Sequence, residues 1–272
     1  MKIRRLTFFL LALLLLLPVS WAVAQFDHQH KAWTELLKKH VVVIDGGKAS
    51  QVHYAALARD RDLLKAYLAM LSDVTQQEFS NWGKEQQLAF LINAYNAHML
   101  ELILTRYPNI KSVWDFGKIF NNPFKNRFVT LFGRELSLDD IEHDTIRARG
   151  VFDEPRIHMA VNCASVGCPM LREEAYVADK LEQQLEQQVV RFLSDHPRNR
   201  FNPVNGTLEV SRIFDWYGKD FATGLKGITS REQFFAKHAA QLAGAPDQQK
   251  LIRDQKASIR FLEYDWSLND AK

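Results

Sequence analysis

The chain has 272 residues, of which 47% are hydrophobic and 25% are charged. These fractions are typical of a folded globular protein and exclude a disordered, collagen-like or coiled-coil chain. The formal net charge is +3, but three of the 35 basic residues lie at the N-terminus, and the other 32 balance 32 acidic residues. We therefore expect no basic surface for nucleic acid or anionic lipid.

Residues 1–24 have the pattern of a secretory signal peptide. Three basic residues precede the apolar run Phe8–Leu17, and Ala22–Ala24 forms a small-x-small cleavage site. The alternative is an uncleaved membrane anchor, but the run falls short of the about 20 residues that a helix needs to cross a bilayer. We therefore expect a cleaved leader, no stable membrane span after cleavage, and a periplasmic or secreted protein.

Residues 25–272 predict one α+β domain that is mostly helical, with short β-hairpins and a small sheet. Helical periodicity marks residues 54–71, 85–106, 177–192, 211–221, 233–242 and 248–257. Hairpins are expected at Gly133 and Gly206, and alternation predicts strands over 156–162 and 259–269. A core of about residues 85–221 would then be followed by a helical C-terminal extension over 222–272.

The helix predicted over residues 85–106 carries polar residues on two different stripes. Gln87, His98, Glu101 and Thr105 would form its solvent-facing side. Asn93 and Asn96 instead lie among apolar residues, so their amides must find hydrogen-bond partners inside the protein.

The two cysteines, Cys163 and Cys168, lie in one Gly- and Pro-containing loop after the strand predicted over 156–162. In an exported protein such a pair is first a candidate disulfide, which would shape the turn. The alternative is that one cysteine is a nucleophile, because backbone N–H groups in a turn can lower the pKa of a thiol. The spacing does not match a thioredoxin-type redox motif.

Two histidines are candidate bases for such a thiol. His158 precedes Cys163 by five residues, and strict alternation would place the two side chains on opposite faces of a strand. His143 lies one helical turn after Asp139 and one turn before Arg147, as in a solvated ion-pair ladder or in a base oriented by a carboxylate. The same cysteines and histidines lack the spacing of a zinc site, so no metal and no cofactor is predicted.

Several blocks, in order, resemble the family called domain of unknown function 547. They are Phe90–Asn96, Leu136–His143, Arg156–Pro169, Ser211–Phe221 and the tail Tyr264–Asn269. One departure is Leu91, where the family would favour Trp. The resemblance implies a shared site at the polar positions of these blocks, but it implies no reaction.

Two functions are compatible with these patterns. The first is a thiol-dependent hydrolase or acyl-transfer enzyme of the cell envelope, with its catalytic candidates at Cys163, His143, His158, Asn93 and Asn96. Its substrate-binding candidates are Arg147, which would hold an acidic group, and Arg156, Trp216 and Tyr217. The second is a non-enzymatic binding or scaffold module with a structural Cys163–Cys168 disulfide. In either case the partner is an envelope substrate or protein that the sequence does not identify.

Overall fold

The computed structural model describes residues 25–272, so the leader expected over 1–24 lies outside the described residues. The α-helices are α1 (Lys31–His40), α2 (Tyr54–Leu57), α3 (Arg61–Ser72), α4 (Gln76–Ser80), α5 (Lys84–Leu104), α6 (Leu181–Leu193), α7 (Ile213–Trp216), α8 (Arg231–Lys237), α9 (Ala239–Leu242) and α10 (Pro246–Arg253). The strands are β1 (Val41–Ile44), β2 (Ala49–Val52), β3 (Val129–Leu131), β4 (Arg134–Leu136), β5 (Arg200–Asn202), β6 (Thr207–Val210) and β7 (Ser258–Phe261). The predicted α+β class, mostly helical, is confirmed.

The strands form three small sheets. Strands β1 and β2 make one antiparallel hairpin, and β3 and β4 make another, whose turn holds Gly133 at a φ of 70°. Strand β6 pairs antiparallel with β5 and parallel with β7. Both hairpins predicted from the turn residues Gly133 and Gly206 are therefore confirmed.

The long helix α5 is the centre of the larger of two apolar clusters. It begins after Gly83 and ends before cis-Pro108, as the periodicity predicted. Almost every residue from Leu88 to Leu104 is buried, including His98, so the prediction that His98 faces solvent is wrong. Its ring lies edge-on to Phe128, at the start of the β3–β4 hairpin, which covers this side of the helix.

The smaller apolar cluster lies around α6 and the C-terminal helices. Its aromatic members are Phe192, Phe201, Phe214, Phe221, Phe234 and Phe235. Met159, which precedes the cysteine loop, belongs to this cluster, whereas Ala160 and Val161 belong to the larger one. Ile157 also belongs to the larger cluster, so the chain runs along the boundary between the two clusters immediately before Cys163.

The secondary structure of two segments next to the site differs from the sequence prediction. Residues Pro155–Met159 form a 3₁₀-helix, so the strand predicted over 156–162 is wrong. Pro155 stands at the first helical position and the Glu154 side chain accepts a hydrogen bond from the Arg156 N–H, both of which favour a helical turn. Ser137-Leu-Asp-Asp140 has the sequence of a helix-start box, which predicts a helix that runs to about Arg149. The structure has a π-helix there, Asp140–Ile146.

Candidate functional site

A cavity of about 360 Å³ opens beside the cysteine loop. It is lined by Tyr95, Trp114, Asn122, Phe124, Asp139, Glu142, His143, His158, Val161, Cys163, Cys168, Ile213, Trp216, Tyr217, Tyr264 and Trp266. The volume suits a small molecule or one group of a larger substrate. The cavity brings both cysteines and both candidate histidines, which are up to 25 positions apart in the sequence, to one place.

The cysteine loop is held in a tight turn by Asn162. The Asn162 side chain accepts a hydrogen bond from the Ala164 N–H at 2.9 Å and donates one to the Pro169 carbonyl at 2.8 Å. Ala164 has a φ of 59°, in the left-handed region that non-glycine residues rarely adopt. Backbone strain of this kind is commonly found at functional sites.

The C-terminal tail lies against this loop and brings Tyr264 into the site. Val166 N–H and Gly167 N–H donate hydrogen bonds to the carbonyls of Ser267 and Asp265, both at 2.8 Å. A Cβ at Gly167 would lie 2.9 Å from the Asp265 nitrogen, so only glycine permits this approach. Contact between distant parts of the chain therefore completes the cavity.

The Cys163 thiol has several hydrogen-bond partners. Its Sγ lies 3.1 Å from Ser165 Oγ and 3.1 Å from the Tyr264 hydroxyl. A hydrogen bond from the Cys168 thiol, helped by Ser165 and Tyr264, lowers the pKa of Cys163 to about 7 against the opposing effect of burial. Near neutral pH a substantial fraction of Cys163 is therefore the nucleophilic thiolate.

Cys168 is the complementary member of the pair. Burial, with the neighbouring Cys163, raises its pKa well above the ordinary value, so Cys168 remains a protonated thiol. Its Sγ accepts a hydrogen bond from the Cys163 N–H at 3.1 Å. Both cysteines are free, and no disulfide joins them in this structure.

His158 is a neutral, oriented histidine. Its Nε2 lies 2.8 Å from Asp220 Oδ2, so Nε2 carries the proton and donates it, and Nδ1 is left as an acceptor. The ring is stacked on Tyr217 with centroids 4.0 Å apart. Burial lowers the pKa of His158 to about 4 despite the hydrogen bond to Asp220.

The two ring nitrogens of His143 have other partners than those of His158. Arg147 Nη1 donates to His143 Nδ1 at 2.8 Å, and Nε2 lies 3.8 Å from Asp139 Oδ1. Arg147 also makes two hydrogen bonds to Asp220, at 2.6 and 3.2 Å. Although burial opposes it, the hydrogen bonds from His158 and Arg147 hold the pKa of Asp220 well below its usual range.

Glu142 lies between the two histidines. Its Oε1 is 3.8 Å from His143 Nδ1 and 3.9 Å from His158 Nδ1. Burial raises the pKa of Glu142, although the charges of His143 and Arg147 oppose this effect. Glu142 is thus a buried carboxyl group that can hold a proton in the wall of the cavity.

Asn93 and Asn96 do not line the cavity. The Asn93 amide donates to the Tyr176 carbonyl at 2.7 Å and accepts from the Tyr176 N–H at 3.0 Å. The Asn96 amide bonds in the same way to the Ala160 carbonyl and the Asn162 N–H, at 3.0 and 2.8 Å. Each amide therefore fixes a backbone segment, and that held by Asn96 leads into Cys163.

Only two of the four predicted substrate-binding residues lie in the cavity. Trp216 and Tyr217 line the cavity. Arg147 is paired with Asp220 and is not part of its lining. Arg156 is 4% exposed and forms ion pairs with three glutamates (Glu154, Glu182 and Glu186), away from the cavity.

The sequence reasoning missed several groups of the site. It assigned no role to Glu142, Ser165 or Tyr264, although Tyr264 begins the tail block that resembles the family. The sequence did offer one signal, because the aromatic tail and the cysteine loop both belong to the blocks that resemble the family. Among residues 25–272, no group of three or more His, Cys, Asp or Glu side chains is arranged to hold a metal ion.

Comparison with known proteins identifies a family for the segment that carries most of these residues. The model of the family described as "Protein of unknown function, DUF547" matches residues 79–193. The resemblance to domain of unknown function 547 is thus confirmed over residues 79–193. No curated protein and no solved structure matches the chain at a significant level.

The DUF547 match includes α5, the π-helical segment, the cysteine loop and α6. Trp216, Tyr217, Tyr264 and Trp266 lie after its end, so part of the cavity wall comes from outside the matched segment. In the described part of the chain, no helix has the length and apolar character needed to cross a membrane.

Proposed function

We propose that this DUF547 protein is a thiol-dependent hydrolase or acyl-transfer enzyme with Cys163 as its nucleophile. The observation that carries the proposal is a thiol of pKa about 7 in the wall of a cavity, hydrogen-bonded by Ser165 and Tyr264. The strained φ of Ala164, directly after Cys163, supports a functional loop. A thiolate formed in this way needs no histidine in contact with the sulfur to remove its proton.

Proton transfer in this proposal belongs to His158 and Glu142. His158 offers Nδ1 as an acceptor because its Nε2–H is held by Asp220, and Nδ1 lies 3.9 Å from Glu142 Oε1. Burial raises the pKa of Glu142 and lowers that of His158, so a single proton held by the pair favours the carboxyl group. His143 is less suited to this role because the Arg147 guanidinium donates to its Nδ1.

The chemistry then has two steps. The Cys163 thiolate adds to the carbonyl carbon of an acyl substrate, and the leaving group departs with the proton held by Glu142 and His158, which forms a thioester. Water or an acceptor hydroxyl or amine next attacks the thioester, loses its proton to the pair, and releases Cys163 as a thiolate. Water as acceptor gives hydrolysis, and another acceptor gives acyl transfer.

Export to the periplasm or out of the cell is part of the proposal. It is supported by the basic start, apolar run and small-x-small site within residues 1–24. The substrate would then be a component of the envelope. The charge balance of residues 25–272 does not favour nucleic acid as a partner.

The test is a search for an acyl-enzyme on Cys163. Purified protein is mixed with a panel of activated esters and thioesters, and both product release and intact mass are followed. We expect an acyl adduct that maps to Cys163, with turnover that Cys163→Ala abolishes and that Cys168→Ala lowers at neutral pH but does not abolish. Unchanged melting of Cys163→Ala shows that the fold is intact. Turnover retained in folded Cys163→Ala, or no adduct from any ester, would contradict the proposal.

The second candidate is a non-enzymatic binding or scaffold module. It is favoured by Asn93 and Asn96, whose amides are fully used in holding backbone segments. In this case the cysteines would support the fold as a bridge in an oxidising compartment. Mass analysis after alkylation, with and without prior reduction, separates the two candidates. Two thiols that label without reductant favour the enzyme, and a bridge whose reduction lowers the melting temperature favours the module.

A further inference from the structure

The cavity beside Cys163 has an uneven charge. Two carboxyl groups, Asp139 and Glu142, and the Cys163 thiol belong to its lining, whereas none of its lining residues is a Lys or an Arg. His158 is neutral near pH 7 because burial lowers its pKa. Apart from His143, the lining groups that can carry a charge near neutral pH are therefore acidic.

The nearby guanidinium groups of Arg147 and Arg198 do not reverse this charge. Arg198 is not part of the cavity lining, is paired with Asp195, and donates a hydrogen bond to the Cys168 carbonyl at 2.6 Å. Arg147 makes two hydrogen bonds to Asp220 and a third to His143, and its guanidinium stacks over the Tyr217 ring at 4.6 Å. All of these partners hold it behind the wall of the cavity. Within residues 25–272, the acidic substrate group that the sequence predicted for Arg147 thus meets no Lys or Arg in the lining of the cavity.

Aromatic rings surround the same space. The ring centroids of Trp114 and Trp266 are 5.1 Å apart, and those of Trp266 and Trp216 are 5.8 Å apart. Tyr264, which contacts the Cys163 thiol, lies 4.5 Å from Trp266. Indole rings attract cations through their negative faces, and the attraction strengthens where water is excluded.

Asp139 lies on the side of the cavity that carries these tryptophans. Its backbone N–H donates to the Phe124 carbonyl at 2.8 Å, and the Phe124 ring lies 5.4 Å from that of Trp114. The Asp139 side chain is about one quarter exposed, and its Oδ1 lies 3.8 Å from His143 Nε2. Burial raises the pKa of Asp139, and the charges of His143 and Lys125 oppose this effect. A carboxylate and a group of indole rings therefore face the same volume as the nucleophilic thiol.

We propose that this cavity binds a substrate that carries an ammonium group close to the reacting carbonyl. Asp139 supplies the opposite charge, and Trp114, Trp216 and Trp266 supply the aromatic surface. The proposal rests on the proposed function in one respect, since it places the cation in the substrate of Cys163. It goes beyond that function because it selects cationic over anionic acyl compounds.

The proposal can be tested without a known substrate by measuring how fast Cys163 reacts with small thiol reagents of different charge. The probes are three methanethiosulfonates with trimethylammonium-ethyl, sulfonato-ethyl and methyl groups. Each rate is followed by intact mass and divided by the rate of the same reagent with 2-mercaptoethanol. We expect the cationic reagent to be favoured over the anionic one by about tenfold or more.

Matched variants on one segment locate the effect. Asp139→Asn removes the carboxylate in the cavity and should reduce the preference by about threefold or more. Asp144→Asn makes the same change at an exposed carboxylate on the same π-helical segment, outside the lining, and should leave the preference unchanged. Cys163→Ser measures labelling of Cys168 and sets the background.

A second measurement keeps the test decisive if Asp139→Asn does not fold. Tetramethylammonium chloride should slow labelling of the wild-type protein by the neutral reagent, and sodium chloride at the same concentration should not. Equal or faster labelling by the anionic reagent, no protection by tetramethylammonium, or an unchanged preference in Asp139→Asn would overturn the proposal. If no reagent labels Cys163, the thiol enzyme fails, and a tryptophan fluorescence titration with tetramethylammonium still decides whether the cavity binds cations.

Discussion

The two walls of the cavity behave differently, although both contain residues that the sequence marked as reactive. On the cysteine wall, Cys163 is held by neutral hydrogen-bond donors, Ser165 and Tyr264, and its charge changes near pH 7. On the histidine wall, Arg147 and His158 are both bonded to Asp220. The first wall is arranged to change charge at neutral pH, whereas in the second the ion pair of Arg147 and Asp220 keeps its charges fixed.

The two walls therefore have different roles, since the cysteine wall carries the reactive thiol and the histidine wall holds side chains in a fixed orientation. A carboxylate with two strong donors has little tendency to accept a proton, so Asp220 acts as a fixed anchor. A thiol next to donors of high pKa can lose its proton at little cost. The hypotheses that grouped Cys163, His143 and His158 as equal catalytic candidates thus need different tests for the two walls.

The largest effect is expected from acid. The histidine wall takes part in it through His158, whereas His30 and His98 lie outside the cavity lining. The folded-state pKa of His158, His30 and His98 is about 4, because each ring is buried, whereas the unfolded value is about 6.5. Below pH 6.5 the unfolded chain binds protons that the folded protein does not, so stability should fall as the pH drops from about 6.5 to about 4. Each histidine should contribute about 2 kcal/mol of this loss at pH 5.

Urea unfolding at pH 7 and pH 5 measures this loss. His98→Leu provides a control, because His98 is buried on α5, its Nε2 has no hydrogen-bond partner, and it is outside the cavity lining. The variant should lose about one third of the pH dependence assigned to these three histidines. A stability that does not change between pH 7 and pH 5 would contradict the neutral, buried state of His158.

The second effect concerns how the cysteine wall is held in place. Asn96→Ala leaves the Asn162 N–H and the Ala160 carbonyl unsatisfied and should lower the free energy of unfolding by about 3 kcal/mol. It should also change the apparent pKa of Cys163, measured from the pH dependence of alkylation, because Asn162 shapes the cysteine loop.

Asn93→Ala is the matched control for this role. It removes the same number of hydrogen bonds, but from the backbone of Tyr176 instead of the cysteine loop. We expect a similar loss of stability with no change in the pKa of Cys163. Equal effects of the two variants on Cys163 would show that Asn96 has no special part in positioning the thiol.

The smallest effect is expected from the tail that covers the cysteine wall. Tyr264→Phe removes one hydrogen bond to the Cys163 sulfur and should raise its pKa by about one unit. Cys168→Ala should raise it further, because the Cys168 thiol makes the largest contribution to the low value. Alkylation rates between pH 5 and pH 9 measure both shifts. An unchanged profile in Tyr264→Phe would remove the tail from the activation of Cys163.

Much of the local structure could be predicted because it depends on neighbours in sequence. The helix over α5, the turns at Gly133 and Gly206 and the start box at Ser137 all follow from short-range rules. The box is confirmed by reciprocal hydrogen bonds, since the Ser137 N–H donates to Asp140 Oδ2 at 2.8 Å and the Asp140 N–H donates to Ser137 Oγ at 3.0 Å. These elements need only the backbone and a few adjacent side chains.

The wrong predictions concern residues that other parts of the protein bury on every side. Alternation predicted a strand over 156–162, but all residues from Pro155 to Asn162 are buried, so the pattern carries no information about a solvent face. The solvent-facing side predicted for α5 fails at His98 for the same reason, because the β3–β4 hairpin covers it. In neither segment could the periodicity show that another part of the chain would bury its exposed side.

The sequence by itself determined the α+β class, the long helix α5, the turns at Gly133 and Gly206, and the residue types available for a site. Tertiary structure decided what those residues do, because the partners of a buried polar group lie far away along the chain. Asn96 meets a backbone 64 residues later, and Cys163 meets a hydroxyl 101 residues later. A short-range pattern reports which residues must find partners, and only the fold supplies those partners.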